Sequence, residues 1–179
     1  MQQRKHIRLA DYNYAAPVGY FVTICTRGRK PVFGGPPIPV GRGPCAPPPC
    51  TARDIVSCWI QRIPDKFPGW TVDKWVVMPN HVHLLLQMHS DDAAGHTGPA
   101  LQDVVAWYKT MTTNACIRAV KAGEMPPFEK AVWQTSFYDE IIRGHAHYLR
   151  TWQYIHDNPA RWAEDEYFIS PGIHPPVPG

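Results

Sequence analysis

Residues 75–87, WVVMPNHVHLLLQ, constrain the chain more than any other stretch. Two runs of apolar and β-branched residues flank a Met78-Pro79-Asn80 corner, and the second run opens on His81-Val82-His83. Pro79 has no N–H to give a sheet ladder, so it suits a turn between neighbouring strands better than a strand interior. Residues i and i+2 of a strand share a face, which sets His81 and His83 on one side, about 7 Å apart along the chain. Val82, Leu84 and Leu86 then face the other way, into a core. Two imidazoles side by side on a rigid strand make half of a divalent-metal site. By itself the pattern reads more readily as two half-exposed histidines, because short patterns recur by chance. The rest of the chain has to discriminate.

A chain of 179 residues fits one domain with a real core. Residues 1–170 read as that domain, interrupted by a Pro/Gly-rich loop at 34–50, with 171–179 as a flexible tail. No apolar run reaches the roughly 18 residues of a membrane-spanning helix. The opening MQQRKHIRLADYNY is charged and has no apolar segment, so it does not read as a secretory signal. The five cysteines (Cys25, Cys45, Cys50, Cys58, Cys116) are odd in number and form no CxxC pair. That pattern points to reduced thiols and a cytoplasmic location. The formal charge of +3 permits a nucleic-acid partner without requiring one.

Periodicity and punctuation give the order of elements. Residues 19–26, GYFVTICT, are strand formers, followed by a basic turn, RGRK. The stretch GGPPIPVGRGPCAPPP is too rich in proline for helix or sheet hydrogen bonding. Thr51 can cap a helix carrying Ile55, Val56, Trp59, Ile60 and Ile63, which Pro64 and Pro68-Gly69 close. Strands follow at 71–78 and 81–88, then a polar loop at 89–99. A second helix is expected over 101–120, a short fourth strand within 132–142, and a last helix over 146–157 with Leu149, Trp152 and Ile155 on one side. The order β-α-β-β-α-β-α makes the fold α+β: a ferredoxin-like split βαβ, antiparallel, with helices on one face and an added C-terminal helix.

That last helix, TWQYIHDNPARW, carries Tyr154 and Asn158 at i and i+4, which share a helical face. If the face docks beside His81 and His83, two imidazoles and an amide oxygen converge with a phenol next to them. Such a mixed, incomplete ligand set leaves room for water or a phosphate oxygen. A phenol, with a pKa near ~10, becomes a nucleophile only when a base or cation acts on it. Taken singly, Tyr154 also reads as an aromatic at a helix–sheet seam, and Asn158 before Pro159 as a helix end. His145 and His147 lie about 200° apart on a helix and cannot converge on one ion; they read as solvent-facing.

At these residues the chain resembles the REP-associated tyrosine transposases, single-tyrosine members of the HUH transposases (IS200-like). The resemblance runs through IRLADYNYAAPVGYFVTICTRGRKPVFG, WVVMPNHVHLLL, LQDVVAWYKTMTTNACIRAV and VWQTSFYDEIIRGHAHYLRTWQYIHDNPARW. It implies that His81 and His83 are the metal-binding pair, Asn158 the third ligand and Tyr154 the nucleophile. It implies Mg²⁺ or Mn²⁺ as cofactor and single-stranded, hairpin-containing DNA as partner. Cleavage would leave a 5′-phosphotyrosine and a free 3′-hydroxyl, and the protein would act in the cytoplasm on the nucleoid. The Pro/Gly-rich stretch at 34–50 departs from the family's ordinary polar connection. Arg27, Arg29, Lys30, Lys109 and Arg143 are candidate DNA contacts. Whether the chain acts as a monomer or a homodimer stays open.

Two other readings compete. A non-catalytic or decayed single-strand binder on the same core would stack bases on Tyr20, Phe21 and Trp75. A metallohydrolase would use the same histidine pair, but it needs an acidic bridging ligand, for which Asp73 is the only near candidate.

Overall fold

The computed structural model describes residues 18–34, 51–89 and 99–168. The expected leading arm, the 34–50 loop beyond Gly34, most of the loop at 89–99 and the tail lie outside these residues. The elements run β1 (Val18–Cys25), α1 (Ala52–Gln61), α2 (Ile63–Lys66), β2 (Trp70–Met78), β3 (His81–Met88), α3 (Leu101–Lys121), β4 (Tyr138–Ile142) and α4 (His145–Asp157). Thr51 caps α1 as its sequence suggests, its hydroxyl accepting from the Asp54 N–H at 3.1 Å. Pro64 starts the extra turn α2 rather than ending the helix outright, since proline needs no N–H partner in a first turn.

The sheet order is β2-β3-β1-β4, and every neighbouring pair is antiparallel. This is the ferredoxin-like arrangement expected from the element order. β1 and β3 are its central strands. Strand alternation then divides the apolar residues between two faces. Val22, Ile24, Trp75, Val77, Val82, Leu84 and Leu86 face α1 and α3 and form the main core. Full burial of each such side chain contributes about 1.5–3 kcal/mol. The Tyr108 hydroxyl donates to the Val56 carbonyl at 3.3 Å, tying α3 to α1 without leaving a buried polar group unmet.

The opposite face carries Phe21, Val76, Met78 and Leu85, and α4 lies across it through Ile155, Trp152 and Tyr148. Helices therefore cover both faces, with α1, the short α2 and α3 inside the split βαβ and α4 outside it. The packed side of α4 is not quite the expected one. Tyr148, Thr151, Trp152 and Ile155 turn inward, whereas Leu149 is 51% exposed. A spacing of three to four residues from Ile155 selects 148 and 151–152, and Leu149 sits about 100° off that line. Gly19 allows β1 and β4 to close up, because a Cβ there would stand 3.0 Å from the Ile142 Cβ.

Among the described residues no helix is long and apolar enough to cross a membrane. Cys25 and Cys116 are free and buried, but Cys58 is disulfide-bonded. An odd count without CxxC does not exclude a single pair, so the expectation of five reduced thiols fails there.

Candidate active site

His81 and His83 both point to the α4 face and are buried, 0% and 1% exposed. Register explains their neighbours. His83 pairs with Thr23 of β1, whose hydroxyl lies 2.9 Å from its Nδ1, while His81 pairs with Cys25. At the β2–β3 corner the Asn80 amide nitrogen donates to the carbonyls of Arg29 (3.1 Å) and Tyr167 (2.7 Å). That fixes the amide, so Asn80 Oδ1 faces His81 Nδ1 at 2.9 Å and must accept from it. His81 is therefore protonated at Nδ1 and carries its free lone pair on Nε2. His83 Nε2 lies 3.0 Å from that atom. Two donors held at right angles about 2.1–2.2 Å from one ion stand about 3.0 Å apart, so the pair is spaced as ligands are.

Both rings are neutral. Burial pushes the His83 pKa down to about 3, and burial, then His83 and Arg29, holds His81 well below its usual value.

α4 delivers the other two expected groups. Although Asn158 precedes proline, its backbone stays helical (φ −52°, ψ −42°), with its N–H bonded to the Tyr154 carbonyl at 3.0 Å. Tertiary packing overrides the local preference, and Tyr154 and Asn158 do share a face. The Tyr154 ring lies 5.4 Å from the His83 ring and edge-on to Phe21 at 5.8 Å. Asn158 is 5% exposed, and its Oδ1 has no hydrogen-bond partner. An unmet buried amide oxygen costs about 1–3 kcal/mol. It shares a cleft wall with Tyr154 and Asp165, and an unmet oxygen there is free to take a cation. Burial first, then the charges of Asp165 and Glu166, raises the Tyr154 pKa. The phenol is thus neutral at ordinary pH.

Residues 161–168, to which sequence reasoning gave no role, fold back over the histidines. The Tyr167 ring sits 4.7 Å from His81, and the Arg29 guanidinium lies 4.8 Å over Tyr167. The same segment brings in Asp165, whose Oδ2 is 3.9 Å from His81 Nε2. Asp165, not Asp73, is the acid at this site; Asp73 stands at the β2 bulge and accepts from the Tyr148 hydroxyl at 3.1 Å. A cleft of about 270 Å³ opens between α4 and this segment, with Tyr154 and Asn158 on its wall.

A sequence model of the family described as "Transposase IS200 like" matches residues 54–158. The chain belongs to the IS200-like transposase family. The matched span contains His81, His83, Tyr154 and Asn158 and stops short of Asp165. A Haemophilus influenzae protein known only as an uncharacterized protein is 29% identical over 181 residues, covering 94% of this chain and 95% of its own. A solved structure of a REP-associated tyrosine transposase bound to a REP hairpin superposes with a TM-score of 0.54 at 18% identity. The match covers 86% of this transposase and 74% of that chain, and it shows a shared fold.

The candidate DNA contacts of this transposase are scattered. Arg27, Arg29 and Lys30 are exposed beyond the end of β1, and Lys30 pairs with Glu129 at 2.8 Å. Arg143 is exposed just before α4. Lys109 instead donates to the carbonyls of Gln134, Thr135 and Ser136 at 3.0, 3.1 and 3.0 Å, so its ammonium holds the connector into β4. His145 is exposed, and His147 is half-buried with its Nε2 3.5 Å from Glu140.

Proposed function

We propose that this transposase cuts and rejoins single-stranded DNA beside a hairpin, as a member of the REP-associated branch, with Tyr154 as nucleophile. The observation that carries the reading is a half-exposed phenol against the neutral, buried histidine pair, with a buried amide oxygen that lacks a partner one helical turn on. His81, His83 and Asn158 would hold Mg²⁺ or Mn²⁺. Such an ion, when bound, would offset the charge of the scissile phosphate.

The chain's own groups do the rest. Phe21 and His83 fix the Tyr154 ring, and the exposed side of the ring faces the cleft through which a flexible strand enters. In the cleavage step the phenol gives up its proton and its oxygen bonds to phosphorus. The bond from phosphorus to the 3′ oxygen breaks, and that oxygen leaves as a free 3′-hydroxyl. The DNA on the 3′ side stays on Tyr154 as a 5′-phosphotyrosine. Since no water attacks, phosphodiester energy is kept, and a 3′-hydroxyl can reverse the step to join strands.

The solved relative's hairpin ligand supports single-stranded DNA with a hairpin as partner, and such a partner suits action on chromosomal DNA in the cytoplasm. A binder that stacks bases on the sheet fits less well, because Tyr20 and Trp75 lie on the main-core side.

Incubation with a 3′-labelled hairpin oligonucleotide and Mn²⁺ should give a detergent-resistant adduct that maps to the peptide containing Tyr154. Tyr154→Phe keeps the ring and should lose the adduct while still binding DNA. An adduct that persists in Tyr154→Phe, or maps to Tyr138 or Tyr148, defeats the proposal.

A further inference from the structure

We propose that Asp165 is a fourth protein ligand of the cation site, supplying the negative charge that His81, His83 and Asn158 lack. The inference rests on the metal centre proposed above and goes beyond it. Asp165 lies past residue 158, where the family match ends.

Its side chain is 1% exposed, as thoroughly enclosed as that of His81. One carboxylate oxygen is accounted for, since Oδ1 accepts the Tyr167 N–H at 2.7 Å. That bond turns Oδ2 inward, where it completes no hydrogen bond of good geometry, although the Asn158 amide stands close enough to favour the charged carboxylate. Asn158, whose Oδ1 is likewise without a partner, lines the same cleft as Asp165. Ligand atoms from His81, His83 and Asp165 all lie within 4.8 Å of one another. A buried carboxylate oxygen facing imidazole lone pairs is unfavourable unless a cation stands among them.

The position is built rather than accidental. The Asp165 N–H bonds to the Trp162 carbonyl at 3.2 Å, and the Phe168 N–H returns to the Asp165 carbonyl at 2.9 Å. The Asn80 amide, which also orients His81, grips the Tyr167 carbonyl. One side chain thus fixes a histidine ligand and the loop that carries the carboxylate. Two imidazoles and an amide leave both charges of a divalent ion uncompensated, whereas Asp165 removes one of them. Carboxylate and amide oxygen suit Mn²⁺, while imidazole nitrogen also suits the later first-row metals, so Mn²⁺ serves as the probe of a divalent site.

The test is Mn²⁺ binding by the full chain without DNA, followed through the signal of free Mn²⁺ in electron paramagnetic resonance. Wild type, Asp165→Asn, the double variant His81→Ala/His83→Ala and the distant control Asp73→Asn are titrated. Asp165→Asn keeps the shape and removes the charge, so its dissociation constant should rise tenfold or more, while Asp73→Asn matches wild type. Thermal melts give a second readout: Mn²⁺ should raise the melting temperature of wild type well above that of Asp165→Asn. In EDTA, Asp165→Asn should melt no lower than wild type, because an unmet buried charge is gone. Asp165→Asn binding within twofold of wild type, while the histidine variant loses Mn²⁺, overturns the role of Asp165 alone. Equal binding by the histidine variant overturns the metal centre itself.

Discussion

His83 is held at Nδ1 by the Thr23 hydroxyl, 2.9 Å away, which leaves its Nε2 facing His81 Nε2 at 3.0 Å. Groups that orient a ligand's far nitrogen typically alter metal affinity by about 10–100-fold. Thr23→Val keeps the β-branched shape and removes the hydroxyl, so Mn²⁺ affinity should drop within that range with little change in melting temperature. The two rings also set an acid limit. A histidine whose folded-state pKa is depressed adds stability above its unfolded pKa, here 6.5, and that stability is lost as pH falls through the folded value, about 3 for His83. In EDTA the chain should therefore lose stability from pH 6.5 downward, on the order of 3–5 kcal/mol from His83 alone by pH 3. Urea unfolding of His83→Gln across that window should show a shallower loss; an equal slope would mean that the ring is not held neutral. The pairing of His81 and His83 was legible because strand alternation leaves no other arrangement. Thr23 and Asn80 were not, since their roles depend on register and on an amide locked by two distant carbonyls.

At the scale of elements, α4 decides whether Tyr154 reaches the histidines. Its grip on the sheet runs through Ile155, 1% exposed, and not through Leu149. Ile155→Ala should cost about 2–4 kcal/mol, whereas Leu149→Ala should stay within about 0.5 kcal/mol. Comparable losses at both positions in denaturant unfolding would refute this helix orientation. β3 (His81–Met88) was readable to its ends because a proline corner opens it and apolar alternation runs along it. The facing of α4 was misread by one position, since Leu149, Trp152 and Ile155 are also helically spaced and only docking selects the face. Asp165 had no periodic signal at all. It follows a helix end in a turn, and what brings it to His81 is the hydrogen bond from the Asn80 side-chain amide to the Tyr167 carbonyl.

Across the whole molecule, the lining of the cleft includes Asp157, Glu164, Asp165 and Glu166, with Arg161 as its one basic residue. Phosphate is repelled there unless a cation intervenes, so DNA affinity has to come from elsewhere on the surface. Arg27, Arg29 and Arg143 are exposed and can meet phosphates, whereas the Lys109 ammonium is already committed to three carbonyls. Binding of a hairpin oligonucleotide should weaken with salt, because each phosphate neutralised releases counterions. Single-stranded contacts contribute about −0.7 each to the slope of log affinity against log salt. Arg27→Gln and Arg143→Gln should each make that slope shallower by roughly that amount while the melting temperature holds. Lys109→Gln should do the reverse, leaving the slope alone and lowering stability as the 134–136 connector loses its anchor. Competition fixes the ligand class in the same titration: a hairpin with a single-stranded flank should displace the probe, and a blunt duplex of equal length should not. A slope that changes only in Lys109→Gln would move the DNA path to the connector and away from the β1 end.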